Sequence, residues 1–152
     1  MTKIIDRPAD QAAAELLEVM PAIMQFVRAE MRNQPDPSLS VTQLRALSFL
    51  DRNPNLSLSE VADYIGITRA STSTMIDRLV QRGLVDRQED PKERRHVMLK
   101  LTQTGSDRLA QMRNIIRQTI TTLFDQLTPE ELEQVSQSLA LLGRVFEAAN
   151  QH

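Results

Sequence analysis

Residues Leu56–Gly105 read LSLSEVADYIGITRASTSTMIDRLVQRGLVDRQEDPKERRHVMLKLTQTG, and the order of signals within this stretch decides the fold. Ser57-Leu58-Ser59-Glu60 has the spacing of a capping box, opening a helix that turns Leu58, Val61, Ala62 and Ile65 inward. Gly66 is placed to close that helix as a left-handed cap. Only Ile67 and Thr68 separate it from a second helix, capped by Thr68 and running to about Arg82, with Thr72, Met75, Ile76 and Leu79 on its apolar face. Gly83 ends it. The period then changes from helical to alternating. Leu84–Glu89 and His96–Leu101 suit two short strands joined by a polar turn, with Val97, Leu99 and Leu101 on one side of the second. Two helices joined by a tight turn, followed by a β-hairpin, describe a winged helix-turn-helix.

Working outward, Ser40-Val41-Thr42-Gln43 forms another capping box before a helix through Leu44, Leu47 and Leu50, broken at DRNPN. Upstream, a helix from about Asp10 to Met31 carries Ala13, Leu16, Leu17, Met20, Met24, Val27 and Met31 on one face. Pro21 lies inside it and is expected to kink or split it near Met20. Downstream, a long helix from Thr102 to about Leu127 carries Leu109, Met112, Ile116, Ile120 and Leu123. Thr128-Pro129-Glu130-Glu131 restarts a last helix bearing Leu132, Val135, Leu139, Leu142, Val145, Phe146 and Ala149.

The fold class that follows is mainly α: a winged helix-turn-helix with a small β-hairpin wing, plus a helical dimerisation domain built from both chain termini. The expected division is 1–36 for the N-terminal dimerisation helix, 37–101 for the winged module and 102–152 for the C-terminal dimerisation helices. A small winged module cannot cover all the apolar faces of the terminal helices, whereas pairing two chains about a twofold axis can. Such a dimer would hold its two recognition helices about 34 Å apart, one DNA turn, and so ask for an inverted repeat.

Composition narrows the function. The 152 residues contain no cysteine, which excludes disulfides and thiol redox sensing, and only two histidines, His96 and His152, which argues against an imidazole zinc site. No nucleophile–base pair and no glycine-rich phosphate loop are visible, so an enzyme is not expected, nor a cofactor. No apolar run suits a membrane span and the N-terminus lacks a secretory h-region, so a cytoplasmic protein with no membrane partner is expected. The formal charge is −2, unlike most nucleic-acid binders. Ser57–Leu101 holds eight basic and seven acidic residues against ten and thirteen elsewhere, a small bias in the right direction. DNA binding must therefore rest on local placement of arginine and lysine.

That placement is specific. The outward face of the second helix presents Arg69, Ser71, Ser73, Thr74 and Arg78. Short hydroxyls let a backbone approach DNA and bond phosphates or base edges, and the arginines supply phosphate charge or bidentate guanine contacts. Asp77 sits awkwardly on this face and is expected to pair with an arginine or to accept from cytosine. The turn DPKERR holds Lys92, Arg94 and Arg95, suited to a narrow minor groove. Asp90 or Glu93 would orient the arginine. Taken singly, a polar helix start or a basic turn is usually just a solvated surface. Their joint arrangement points to double-stranded DNA. His96 reads as a surface strand residue, Tyr64 as structural, the methionines as core, and Asp51-Arg52 and Asp86-Arg87 as local ion pairs.

On the phrases IDRLVQRGLVDR, DPKERRHVMLKLT and TQTG, the chain closely resembles the MarR family of bacterial and archaeal transcription regulators, most densely from Ser40 to Gly105 and by layout across nearly the whole length. The resemblance implies an obligate homodimer, palindromic operators, repression, and release by a small ligand or oxidant. It puts the family's wing arginine on Arg94 and its acidic partner on Asp90 or Glu93, where the family more often has Asp at the position of Glu93. Thr72 stands where an apolar residue is commoner. The absence of cysteine and scarcity of histidine leave a small-molecule effector, in a crevice between the dimer helices and the winged module, with no residues assigned. The rival readings are a winged helix used only for protein contact, which salt dependence would distinguish, and an enzyme.

Overall fold

The computed structural model describes residues 7–35, 39–89, 91–92 and 97–151. Asp90, Glu93, Arg94, Arg95, His96 and His152 lie outside them. The elements run α1 (Pro8–Arg32), α2 (Val41–Arg52), β1 (Leu56–Ser57), α3 (Leu58–Ile65), α4 (Arg69–Gln81), β2 (Val85–Glu89), β3 (Val97–Leu101), α5 (Gln103–Phe124) and α6 (Pro129–Asn150). The chain divides into two compact units, Met1–Arg113 and Asn114–His152, with the boundary inside α5.

The helix starts follow their caps. Ser40 and Gln43 exchange both bonds of a capping box, as do Thr128 and Glu131 at α6, where Pro129 takes the first helical position. At α3 only half of the expected box forms. Ser57 Oγ accepts from the Glu60 amide, but the Glu60 carboxylate accepts from the same hydroxyl rather than from the backbone. The reason is β1: Ser57 is a strand residue as well as a cap, pairing with Met98 while Leu56 pairs with Leu99. The hairpin is thus part of a three-stranded antiparallel sheet ordered β1-β3-β2, where two strands were expected. Leu56 is the buried residue there, and Leu58, expected to point inward, is only half-buried. Gly66 closes α3 at φ 80°, and Gly83 turns the chain out of α4 at φ 73°.

Pro21 does not split α1, which is helical without a break from Pro8 to Arg32. Proline deprives the Leu17 carbonyl of its donor, but Leu17 is exposed, so water can take the vacated bond.

The core of the first unit collects Leu47 and Leu50 from α2, Val61 from α3, Ile76 and Leu79 from α4, Leu99 from β3, and Leu109 and Met112 from α5, all at 2% exposure or less. Thr72 is fully buried among them. Its hydroxyl donates to the Thr68 carbonyl at 2.9 Å, so a polar group is accommodated where an apolar one is expected. Tyr64 is exposed but held on three sides: its ring stacks on Phe49 at 3.9 Å between centroids, Arg52 donates to its hydroxyl at 3.1 Å, and the Arg45 guanidinium lies 5.8 Å from its centroid.

The start of α5 is stitched to the segment after α4. The Thr102 hydroxyl donates to the Gly83 carbonyl and accepts from the Gly105 amide, and the Thr102 amide donates to the Leu84 carbonyl. Gly105 is buried against the Leu84 backbone. In contrast, α6 has no buried residue. No described helix is long and apolar enough to cross a membrane.

Candidate nucleic-acid interface

The helix α4 is fixed from behind by Thr72, Met75, Ile76 and Leu79, so its remaining faces are presented at a set angle. Helical spacing sorts the expected contact residues into two stripes. Ser71, Thr74 and Arg78 lie three and four apart and face α2, where they border a cleft of about 370 Å³ together with Ser40, Thr42 and Gln43. Arg69 and Ser73 lie four apart and face the sheet, bordering a second cleft of about 380 Å³. Asp77 continues that second stripe, four residues beyond Ser73. Arg69, Ser71, Thr74 and Arg78 are exposed, and Ser73 is half-buried.

Local hydrogen bonds set what these hydroxyls offer. Thr68 Oγ1 accepts from the Ser71 amide and donates to Ser71 Oγ at 2.9 Å. The Ser71 proton is thereby left to point outward, as a donor suited to a phosphate oxygen. Thr74 Oγ1 instead donates back to the Ala70 carbonyl at 3.2 Å, and so presents its lone pairs, suited to an amino group on a base edge.

Asp77 takes the first of its two expected roles. Its Oδ1 lies 2.7 Å from Nη2 of Arg87 on β2. This overturns the local pairing expected for Asp86-Arg87. Neighbours on a strand point to opposite faces, so Asp86 instead accepts from Gln88 at 3.1 Å. Asp51-Arg52 fails for the helical version of that reason: Asp51 reaches Arg113 at 3.4 Å and Arg52 reaches Tyr64. Arg87 was not among the expected contact residues, yet it borders the same cleft as Arg69 and Ser73. Its signal was available in the alternation that puts it on the same face of β2 as buried Val85, and opposite buried Leu99, toward α4.

In the hairpin, Glu89 pairs with Val97, so the connection spans 90–96. Lys92 lies in it and is exposed. The other expected wing residues, Asp90, Glu93, Arg94 and Arg95, lie outside the described residues. No cluster of three or more acidic or imidazole side chains able to hold a metal ion occurs among the described residues.

A larger cavity of about 830 Å³ lies between α1 and α2. Its wall combines the apolar Met24, Val27 and Leu44 with Arg28, Arg45 and Arg52, and among the described residues no acidic side chain lines it.

Residues 38–96 match the sequence profile of the MarR family. The HTH-type transcriptional repressor MdtR of Bacillus subtilis (strain 168) is 26% identical over 142 residues, 93% of this chain and 92% of MdtR. Among solved structures, RV1404 from Mycobacterium tuberculosis is similar with a TM-score of 0.79 and 25% identity, covering 93% of this chain and 96% of its own. The transcriptional repressor CouR, bound to a 23-mer DNA duplex, is similar with a TM-score of 0.58 and 25% identity, covering 94% and 96%. The winged module, the mainly helical fold and these full-length likenesses agree: the chain is similar to the regulators of the MarR family, whose profile it matches over residues 38–96.

Proposed function

We propose that this protein is a cytoplasmic transcription repressor, not an enzyme, that binds a palindromic operator as a homodimer and lets go when a small ligand binds. The observation that carries the reading is α4, held by its buried face with Arg69, Ser71, Thr74 and Arg78 exposed and Ser73 half-exposed, and followed in sequence by the basic turn DPKERR. Its likeness to CouR, solved on a DNA duplex, supports the same use of the module. In this reading α4 enters the major groove while Lys92, Arg94 and Arg95 reach the minor groove, with Asp90 or Glu93 orienting an arginine. Selection from a random duplex pool tests it directly. An enriched inverted repeat is the expected result, and no enrichment at moderate salt would favour a protein-contact module instead. Arg94→Ala is expected to weaken binding to the selected duplex by about 1–3 kcal/mol, measured by anisotropy titration. Unchanged affinity would remove the wing from the mechanism.

The dimer would be built from 1–36 and 102–152, with the module at 37–101 between them. Support comes from the apolar side chains these segments expose in a single chain: Leu17 at 70%, Leu139 at 59% and Phe146 at 50%, among others. Side chains of this kind, set along helices at both ends of the sequence, ask for a covering partner. Leu139→Glu with Phe146→Glu is expected to give a monomer in sedimentation at concentrations where the native chain is dimeric. A native chain that is itself monomeric would sink the twofold reading.

The cavity between α1 and α2 is our choice for the effector site. Its volume falls in the usual range for small-molecule pockets, and its arginines, with no acidic side chain among the described lining residues, favour an anionic ligand with an apolar body. Such a ligand would act by fitting one spacing of the two recognition helices better than another.

A further inference from the structure

The polar side chains lining the cleft between α4 and the sheet are Ser57 and Ser59 from the start of α3, Arg69 and Ser73 from α4, and Arg87 from β2, over an apolar floor that includes Leu99. Two guanidinium-bearing side chains and the hydroxyls of Ser59 and Ser73 thus converge on about 380 Å³ of concave surface, the Ser57 hydroxyl being given to Glu60, and among the described residues no carboxylate lines it. Asp77 stands outside this lining and grips Arg87 through Nη2 alone, with the two side chains 51% and 37% exposed. A guanidinium carries five N–H donors in a fixed fork, so this contact fixes its direction without using up its capacity.

We propose that Arg87 and Arg69 form a seat for a backbone phosphate of DNA between the recognition helix and the wing, with Asp77 as the residue that positions Arg87. The inference rests on the DNA-binding reading and extends it to Arg87 and Asp77, which that reading left without a part in DNA contact. The ligand chemistry follows from the donors. Hydroxyls and guanidinium groups on one side suit the tetrahedral oxygens of a phosphodiester. The ion pair also gives the two DNA-reading elements a fixed spacing, because Arg87 belongs to the strand that leads into the hairpin turn and Asp77 to α4.

The role of Asp77 makes a prediction that simple charge counting reverses. Removing an anion from a DNA-facing helix should tighten binding if only net charge matters. If Asp77 positions Arg87, Asp77→Asn weakens binding several-fold while the slope of log K against log salt stays the same. Arg87→Met weakens it roughly tenfold or more and flattens that slope by about two units, the loss of one phosphate contact in each module of the dimer. Arg87→Lys keeps the charge and hence the slope, but regains only part of the affinity. All three are measured by anisotropy titration of a mixed-sequence duplex across a salt series, with thermal melting of each variant to show that it is folded. Tighter binding by Asp77→Asn, or a folded Arg87→Met with an unchanged slope, would overturn the proposal. A native chain that binds no duplex in a salt-dependent way would overturn the DNA reading itself and this seat with it.

Discussion

Gly105→Ala is expected to destabilise the protein by about 3 kcal/mol or more, the reverse of what that change does in most helices. Alanine in place of glycine inside a helix ordinarily stabilises by roughly 0.5–1 kcal/mol, because glycine has more backbone freedom to lose. Here the added methyl group would land on the carbonyl oxygen of Leu84. That oxygen is backbone and already accepts from the Thr102 amide at 3.1 Å, so it cannot swing aside as the end of a side chain would. Either α5 or the start of β2 must move, and both are tied through Thr102 to Gly83. With total stabilities near 5–15 kcal/mol, a loss of this size is a large fraction of the whole. Urea denaturation would measure it. A change under about 0.5 kcal/mol would mean that α5 slides away freely and that its contact with Leu84 is dispensable. In a variant that still folds, the displaced β2 should also carry Arg87 away from Asp77, so DNA affinity should fall alongside stability.

Raising salt from about 50 to 200 mM is expected to lower DNA affinity by roughly a thousandfold or more. The magnitude follows from the cations placed at the interface. Each module offers Arg69, Arg78, Arg87 and Lys92, with Arg94 and Arg95 following in sequence. Two modules therefore reach the range of six or more phosphate contacts at which such losses are typical. The chain as a whole is acidic, with a net charge of −2, so this attraction would be a local property of one face. Titrations at several salt concentrations give the slope directly. An affinity nearly independent of salt would favour a module that docks on protein, and would remove phosphate contact from the account.

The helix-turn-helix was legible because its punctuation is chemical: Thr68 and Ser40 have side chains that cap, Gly66 tolerates a left-handed turn, and the residues behind α4 recur at helical spacing. The wing strands were legible for a similar reason, since Val97, Leu99 and Leu101 alternate. What escaped the sequence depends on pairing across distance. Two-residue β1 has too few positions to show a period, and exists because Leu56 and Ser57 find partners on β3. The adjacent charges Asp86-Arg87 and Asp51-Arg52 suggested neighbours in contact. Strand and helix geometry both turn adjacent side chains apart, and the true partners lie in other elements. Gly105 gave no sign of its role, because a glycine needed for close approach looks the same in sequence as one that is merely tolerated.

The stack of Tyr64 on Phe49 has a consequence for watching this protein at work. The chain contains no tryptophan and a single tyrosine, so its intrinsic ultraviolet emission arises almost wholly from one ring. That ring borders the cavity between α1 and α2, and its hydroxyl is held by Arg52, which lines the same cavity. An anion that draws Arg52 away would change the surroundings of the one phenol that emits. Occupancy of the cavity can then be followed as a change in native brightness, with no dye attached and no residue altered.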